Sequence, residues 1–415
     1  MSTLEEKSLV YDWAEQGPRR AHWPSHVMVD DETLRDGLQS PSVTDPPVET
    51  KLQILHFMEN LGIETADVGL PGAGERQRES VLSLCREIAQ HRLRIRANCA
   101  ARTLMVDIRP IAEASQLTGV PIEACLFIGS SPIRQYAEEW ELDDILRHSR
   151  EAITFAVREG LDVMFVTEDT VRSSPDQLRI LLRAAVEVGT KRLCLCDTCG
   201  AATPDAVYNL VTWVGALLSE IGSPKVGIDW HGHRDRGLDL ANTMAAIEAG
   251  ASRVHGTALG IGERVGNTPI EQLLVNLKLL GIRNDDLTRL PDYVRLVSQV
   301  TQVAIPVNTP IVGHDAFRTA TGVHAAAVIK AQKKGHTWLA DRIYSGVPAG
   351  WIGRSQKIEI GPMSGNSNVQ HYLSSHGMQV TPELTKRILD EAKKSPRVLT
   401  DTEILEIVSG FSSTN

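Results

Sequence analysis

Aromatic residues make up only 5% of the 415-residue chain, and its six cysteines fall far short of the density of a disulfide scaffold. Charges or glycine interrupt every hydrophobic stretch well before the roughly 18–20 apolar residues that span a bilayer, so no membrane partner is expected. The first residues carry Glu5, Glu6, Asp12 and Glu15 in place of a basic segment followed by an apolar one. No presequence is expected, and the location expected is cytoplasmic. A basic excess is also missing. With 43 Lys and Arg against 52 Asp and Glu, the net charge of −9 excludes holding a polyanion through a general positive field, so no nucleic-acid partner is expected. What remains is 42% hydrophobic and 23% charged, with 32 Gly and 20 Pro, the make-up of a globular protein. The length predicts one large domain with an appendage. Most of the cysteines lie in apolar runs, where a small buried hydrophobe is the expected role. Cys196 and Cys199 form a CxxC, but no second CxxC or zinc-finger histidine pair accompanies it.

Short β-like runs alternate with amphipathic stretches from about His26 to Gly281. Strands are predicted at His26 to Asp30, Glu64 to Val68, Leu93 to Asn98, Ile122 to Ile128, Asp162 to Val166, Arg192 to Cys196, Lys225 to Trp230 and Arg253 to Thr257. Helical patterns such as Val48 to Leu61, Pro175 to Val188 and Pro204 to Ile221 lie between them, several closed by Gly. Eight such units over roughly 250 residues have the rhythm of an α/β (β/α)8 TIM barrel. An open doubly wound sheet normally carries a glycine-rich phosphate loop after its first strand; here that turn reads Asp31 to Gly37. The expected organisation is an N-terminal extension over 1–25, a barrel over 26–283, a linker and first subdomain over 284–345, and a second subdomain over 346–415. The appendage is expected to be smaller and mostly helical.

Active groups of a parallel barrel gather on the loops after the C-terminal ends of its strands. That rule selects Arg35, Asp36 and Gln39 after the first strand, Glu168 after the fifth and Thr198 after the sixth. It adds His231 and His233 after the seventh, and Glu263, Arg264 and Asn267 after the eighth. Residues i and i+2 of an extended segment project to one side, so the His231-Gly232-His233 imidazoles can reach one ion. Asp36, two strands away around a closed barrel, completes a two-histidine, one-carboxylate set suited to a catalytic divalent metal, and Asn267 can add a neutral oxygen. Arg35 either pairs with an acid at the barrel mouth or holds a substrate carboxylate or carbonyl. Glu168 is either a solvated loop acid or a proton-handling group, and Thr198 either caps a helix or donates to a carboxylate. In the appendage, His324 stands at a helix start and Tyr344 in a glycine-rich loop.

The segments Asp31 to Pro41, His231 to His233 and Gly260 to Asn267 resemble the metal-dependent TIM-barrel acyltransferase and lyase superfamily. Its members include 2-isopropylmalate synthase, homocitrate synthase, citramalate synthase and 3-hydroxy-3-methylglutaryl-CoA lyase. The post-barrel segments Pro310 to His324 and Gly361 to Gly365 look like those of the synthases, and the loop from Gly260 to Asn267 lacks the cysteine that the lyase branch uses. The resemblance implies an acetyl-CoA-dependent Claisen condensation with a 2-oxo acid on a divalent metal (Mg2+, Mn2+ or Zn2+), most like 2-isopropylmalate synthase. Its alternatives are another 2-oxo acid, as in homocitrate or citramalate synthesis, or lyase-type retro-aldol cleavage. It further implies Asp36, His231, His233 and Asn267 as metal contacts, with Arg35, Thr198 and Gln39 holding the 2-oxo acid. Glu168, His324 and Tyr344 would join Arg35 as catalytic groups, the last two reaching the site from the partner in a homodimer.

The sequence departs from the family pattern at two places. His233 is followed by Arg234-Asp235-Arg236 where synthases commonly read Asn-Asp, and Cys125 stands where isopropylmalate synthases often have a strand-four histidine. Both bear on the side chain of the 2-oxo acid. Arg102, Arg134 and Arg234 are candidates for reading a distal anionic group or are plain rim cations. The chain stops soon after the second subdomain, so no C-terminal amino-acid-sensing domain is expected.

Overall fold

The alternating runs resolve, in a computed structural model that describes residues 8–16 and 22–412, into eight parallel strands that close on themselves. In chain order these are β1 (Met28–Asp31), β2 (Thr65–Asp67), β3 (Arg96–Arg102), β4 (Ile122–Gly129), β5 (Asp162–Glu168), β6 (Arg192–Asp197), β7 (Gly227–Gly232) and β8 (Arg253–Gly256). Each pairs with the next and β8 returns to β1, with Val29 opposite Val254. The strands are buried nearly throughout, as expected where helices cover a parallel sheet.

Helices on the outside of this barrel are α1 (Val48–Asn60), α2 (Glu75–His91), α3 (Met105–Thr118), α4 (Pro132–Glu138), α5 (Leu142–Arg158), α6 (Pro175–Glu187), α7 (Pro204–Glu220), α8 (Asp239–Glu248), α9 (Ile270–Leu279) and α10 (Leu290–Thr301). Their starts follow local chemistry. Ser174 and Thr203 cap α6 and α7 through their hydroxyls, each followed by Pro at the first helical position, where no N–H is needed. The sequence reading names no helix over α3, because α3 starts without a side-chain cap and carries Pro110 in its interior. Tertiary packing overrides both, burying Ile108, Ile111 and Ala112.

The chain divides into two compact units. The barrel unit runs from Arg20 to Ile305 and so includes α10, which lies in the 284–345 stretch expected from the sequence to be a linker and first subdomain. Its apolar face is the reason: Tyr293, Val294 and Val297 are fully buried, and the Tyr293 hydroxyl donates to Asp31 Oδ2 at 2.6 Å.

The other unit comprises Pro306–Asn415 with the described part of Met1–Arg19. Here β9 (Arg318–Thr319) and β10 (Lys357–Ile358) form a parallel pair, accompanied by α11 (Gly322–Lys333), α12 (Thr337–Arg342), α13 (Asn366–Ser375), α14 (Pro382–Lys394) and α15 (Asp401–Ser412). Ile360, Val369, Leu373, Leu384, Ile388 and Ala392 make its own apolar core. None of the described helices is long and apolar enough to cross a membrane.

Candidate active site

A cavity of about 320 Å³ opens where the strands end, lined by groups from the exits of β1, β5, β6, β7 and β8. Arg35, Asp36, Gln39, Glu168, Thr198, His231 and His233, all selected from the sequence by strand-end position, line this one space. Its wall is apolar, formed by Leu70, Phe127, Met164 and Val166 with Cys125 and Cys194.

At its polar end the histidines on either side of Gly232 turn their Nε2 atoms toward each other at 3.2 Å, and Asp36 Oδ2 lies 3.9 Å from His233 Nε2. Donors around a tetrahedral ion with bonds of about 2.0–2.2 Å stand roughly 3.3–3.5 Å apart. The three groups therefore converge as a divalent-cation site would require. His231 Nδ1 bonds Glu32 Oε2 at 2.7 Å, which leaves its Nε2 lone pair facing the cluster. Burial, then the neighbouring His231, push His233 down to about 4, so its ring is neutral near pH 7 and able to ligate. Asn267 donates through Nδ2 to Asp36 Oδ2 and to the Ile261 carbonyl, while its buried Oδ1 has no hydrogen-bond partner. Gly262, at φ +152°, lets Asn267 and Asp36 come this close; a Cβ there would meet both. The donor set, with an orphaned buried oxygen beside it, fits a divalent cation.

Three acids surround Arg35. Its Nε donates to Asp67 Oδ2 at 2.6 Å, Nη1 to Asp36 Oδ1 at 3.0 Å and Nη2 to Glu32 Oε1 at 3.0 Å. These bonds take three of the five N–H groups of a guanidinium, so the structural pairing and a substrate contact are compatible. Glu32 joins this hub to the histidines. Burial opposes its charge, yet His231, Arg35 and His255 hold it well below the usual carboxylate range. Behind it His255 bonds Glu32 Oε1 through Nδ1 at 3.1 Å and Asp229 Oδ2 through Nε2 at 3.0 Å. Arg192 and Arg253 in turn pair with Asp229. A continuous buried chain thus runs from Asp229 through His255 and Glu32 to the candidate ligand His231.

Sequence reasoning singled out none of Glu32, Asp67, His255 or Asp229. The signal for His255 was available, since alternation in β8 points it to the same side as Arg253. For Glu32, in the run Asp30-Asp31-Glu32, one-dimensional information could not say which acid faces the mouth.

Along the rim, burial pushes the Glu168 carboxyl above its usual range against the pull of Arg134 and Arg35. The Thr198 hydroxyl accepts from Asp169 N–H at 2.8 Å, which leaves its own proton to donate. It does not cap α7; Thr203 does. Arg264 is held by both Asp235 oxygens at 2.8 and 2.9 Å. Of the cations proposed to read a distal anion, Arg102 is clamped by both oxygens of Asp107 and Arg134 pairs with Glu138 at 3.0 Å. The Arg234 side chain lies beside Gly260. His324 and Tyr344 belong to the other unit, where they are exposed and stack with ring centroids 4.1 Å apart.

The family model described as HMGL-like matches residues 26–297. The chain belongs to the HMGL-like family. Three relatives of this HMGL-like chain come from one organism, Methanopyrus kandleri, and carry three different names. A probable 2-isopropylmalate synthase is 34% identical and covers 89% of this chain and 70% of its own. A homocitrate synthase is 32% identical, covering 95% of both. A putative (R)-citramalate synthase is 31% identical, covering 89% and 69%. Identities so nearly equal do not choose among the three names. The HMGL-like barrel also matches the solved hydroxymethylglutaryl-CoA lyase of Pseudomonas aeruginosa, with a TM-score of 0.56 and 22% identity over 67% of this chain and 94% of that one, a likeness of fold.

Proposed function

We propose that this HMGL-like enzyme condenses acetyl-CoA with an aliphatic 2-oxo acid, most like a 2-isopropylmalate synthase. The observation that carries the reading is the juxtaposition of the Asp36, His231 and His233 donor set with an apolar wall in one cavity. When bound, a divalent cation supplies Lewis-acid polarisation of the 2-oxo carbonyl. Asp36, His231 and His233 would hold it, with Asn267 Oδ1 as a neutral contact.

The remaining chemistry falls to side chains. Arg35 and the Thr198 hydroxyl hold the substrate carboxylate, and Gln39 closes the polar side of the pocket. Glu168, its affinity for a proton raised by burial, serves in removing a proton from the acetyl methyl group. The methyl carbon then bonds to the 2-oxo carbon, and the former oxo oxygen becomes a hydroxyl. Water cleaves the thioester C–S bond, giving a 2-hydroxy diacid and the free CoA thiol. His324 and Tyr344 join from a partner subunit of a homodimer; their stacking supports a shared role.

The wall speaks to the side chain of the 2-oxo acid. Leu70, Phe127, Met164 and Val166 suit a branched aliphatic group, whereas of the cavity-lining cations Arg35 serves the first carboxylate and Arg264 is already held by Asp235. A second carboxylate would meet apolar surface, at a desolvation cost that exceeds any gain. Relative to a methyl group, an isopropyl group buries two more carbons, about 1.6 kcal/mol or roughly 15-fold in specificity.

Incubation of the protein with acetyl-CoA, 3-methyl-2-oxobutanoate and Mg2+, Mn2+ or Zn2+ should give 2-isopropylmalate by mass spectrometry, and EDTA should abolish it. Absence of a 2-hydroxy diacid from every 2-oxo acid tried, with all three metals, would sink the proposal.

A further inference from the structure

Away from the barrel mouth, α1 and α2 lie side by side on the outside of the barrel and bring a second group of metal-binding side chains together. His56 comes from α1; Glu87 and His91 come from α2, one turn apart, where residues i and i+4 share a face. Both imidazoles aim Nε2 at the same oxygen: His56 Nε2 lies 2.6 Å and His91 Nε2 3.3 Å from Glu87 Oε1. The rings stand nearly perpendicular, at 85°, with centroids 5.4 Å apart. Nothing in the proposed condensation uses these residues.

From this geometry we propose that His56, Glu87 and His91 form a second divalent-metal site, selective for late first-row ions such as Zn2+ or Ni2+, which clips α1 to α2. The three donor atoms already lie within 4.8 Å of one another. The Glu87–His91 separation of 3.3 Å matches two ligands of one tetrahedral ion, and the 2.6 Å His56–Glu87 pair needs to open by under about 1 Å. Rotation of partly exposed side chains supplies that movement: His56 is 38% and His91 49% exposed, while Glu87, at 16%, is the more fixed member. Two imidazoles and one carboxylate are borderline donors, which favour Zn2+, Ni2+ or Cu2+ over Mg2+, an ion that prefers oxygen and retains its waters. Solvent completes the coordination on the exposed side. Because the ligands come from two helices, binding stabilises the packed pair against unfolding.

Zn2+ and Ni2+ retained by the 415-residue chain after gel filtration test the proposal, read as equivalents per chain. The wild type is expected to retain two equivalents and the H56Q/H91Q variant one, with its condensing activity unchanged. In a second background, H231A/H233A should retain one equivalent and show a Zn2+-dependent rise in melting temperature. Adding H56Q/H91Q to that background should remove both. A milder D36N background guards against a barrel variant that fails to fold. Equal retention by wild type and H56Q/H91Q, or no metal on the barrel-mouth variants, would overturn the site.

Discussion

Glu168, half-buried, and Glu271, fully buried, are both acids with raised proton affinity, and they make different predictions. For Glu168, which lines the cavity, Glu168→Gln should lower kcat by about 10²–10⁴-fold and leave the KM for the 2-oxo acid nearly unchanged. The acid limb of the wild-type kcat profile should lie above the ordinary carboxylate range, because burial raises the group that must be ionised. Steady-state kinetics of the two proteins across pH checks both statements. Glu271 instead bears on stability. Burial pushes it from 4.5 to about 7, one oxygen accepts from Leu259 N–H, and the other is unpartnered. A raised folded-state pKa means the folded state holds the proton more tightly, so its contribution is complete below pH 4.5 and is lost as pH rises through about 7. Glu271→Gln removes that loss. It should stabilise the protein by up to about 3 kcal/mol at pH 8, and the gain should vanish near pH 4.5 in urea unfolding curves.

Among the elements, α10 shows where one-dimensional information ran out. The β/α rhythm was legible because strands such as β4, β5 and β6 are short, mainly apolar runs and most helices open on Pro, Ser or Thr, chemistry that acts within a few residues. What α10 packs against is set by a hydroxyl 262 positions from its acceptor, so its amphipathic pattern could announce a helix but not its place. Tyr293→Phe, which leaves Asp31 without that donor, should cost about 1–3 kcal/mol in denaturant unfolding. The candidate site divides in the same way. Asp36, His231 and His233 were legible from their strand-end positions, whereas the buried line through Glu32, His255 and Asp229 depends on which way strand residues face once β1, β7 and β8 are adjacent.

At the level of the whole molecule, shared sites and substrate choice are the claims to test. If His324 and Tyr344 serve a partner's barrel, two inactive variants should complement each other. Mixed and subunit-exchanged Asp36→Asn and His324→Ala should recover about a quarter of wild-type thiol release, since half the dimers then carry one intact site of two. No recovery after verified exchange would show that each chain works alone. The most direct measurement is the rate of CoA thiol release from acetyl-CoA across a panel of 2-oxo acids, expressed as kcat/KM. The expected order puts 3-methyl-2-oxobutanoate first, ahead of pyruvate by roughly 15-fold and of 2-oxoglutarate by more. A preference for 2-oxoglutarate, or no thiol release with any 2-oxo acid, would contradict it.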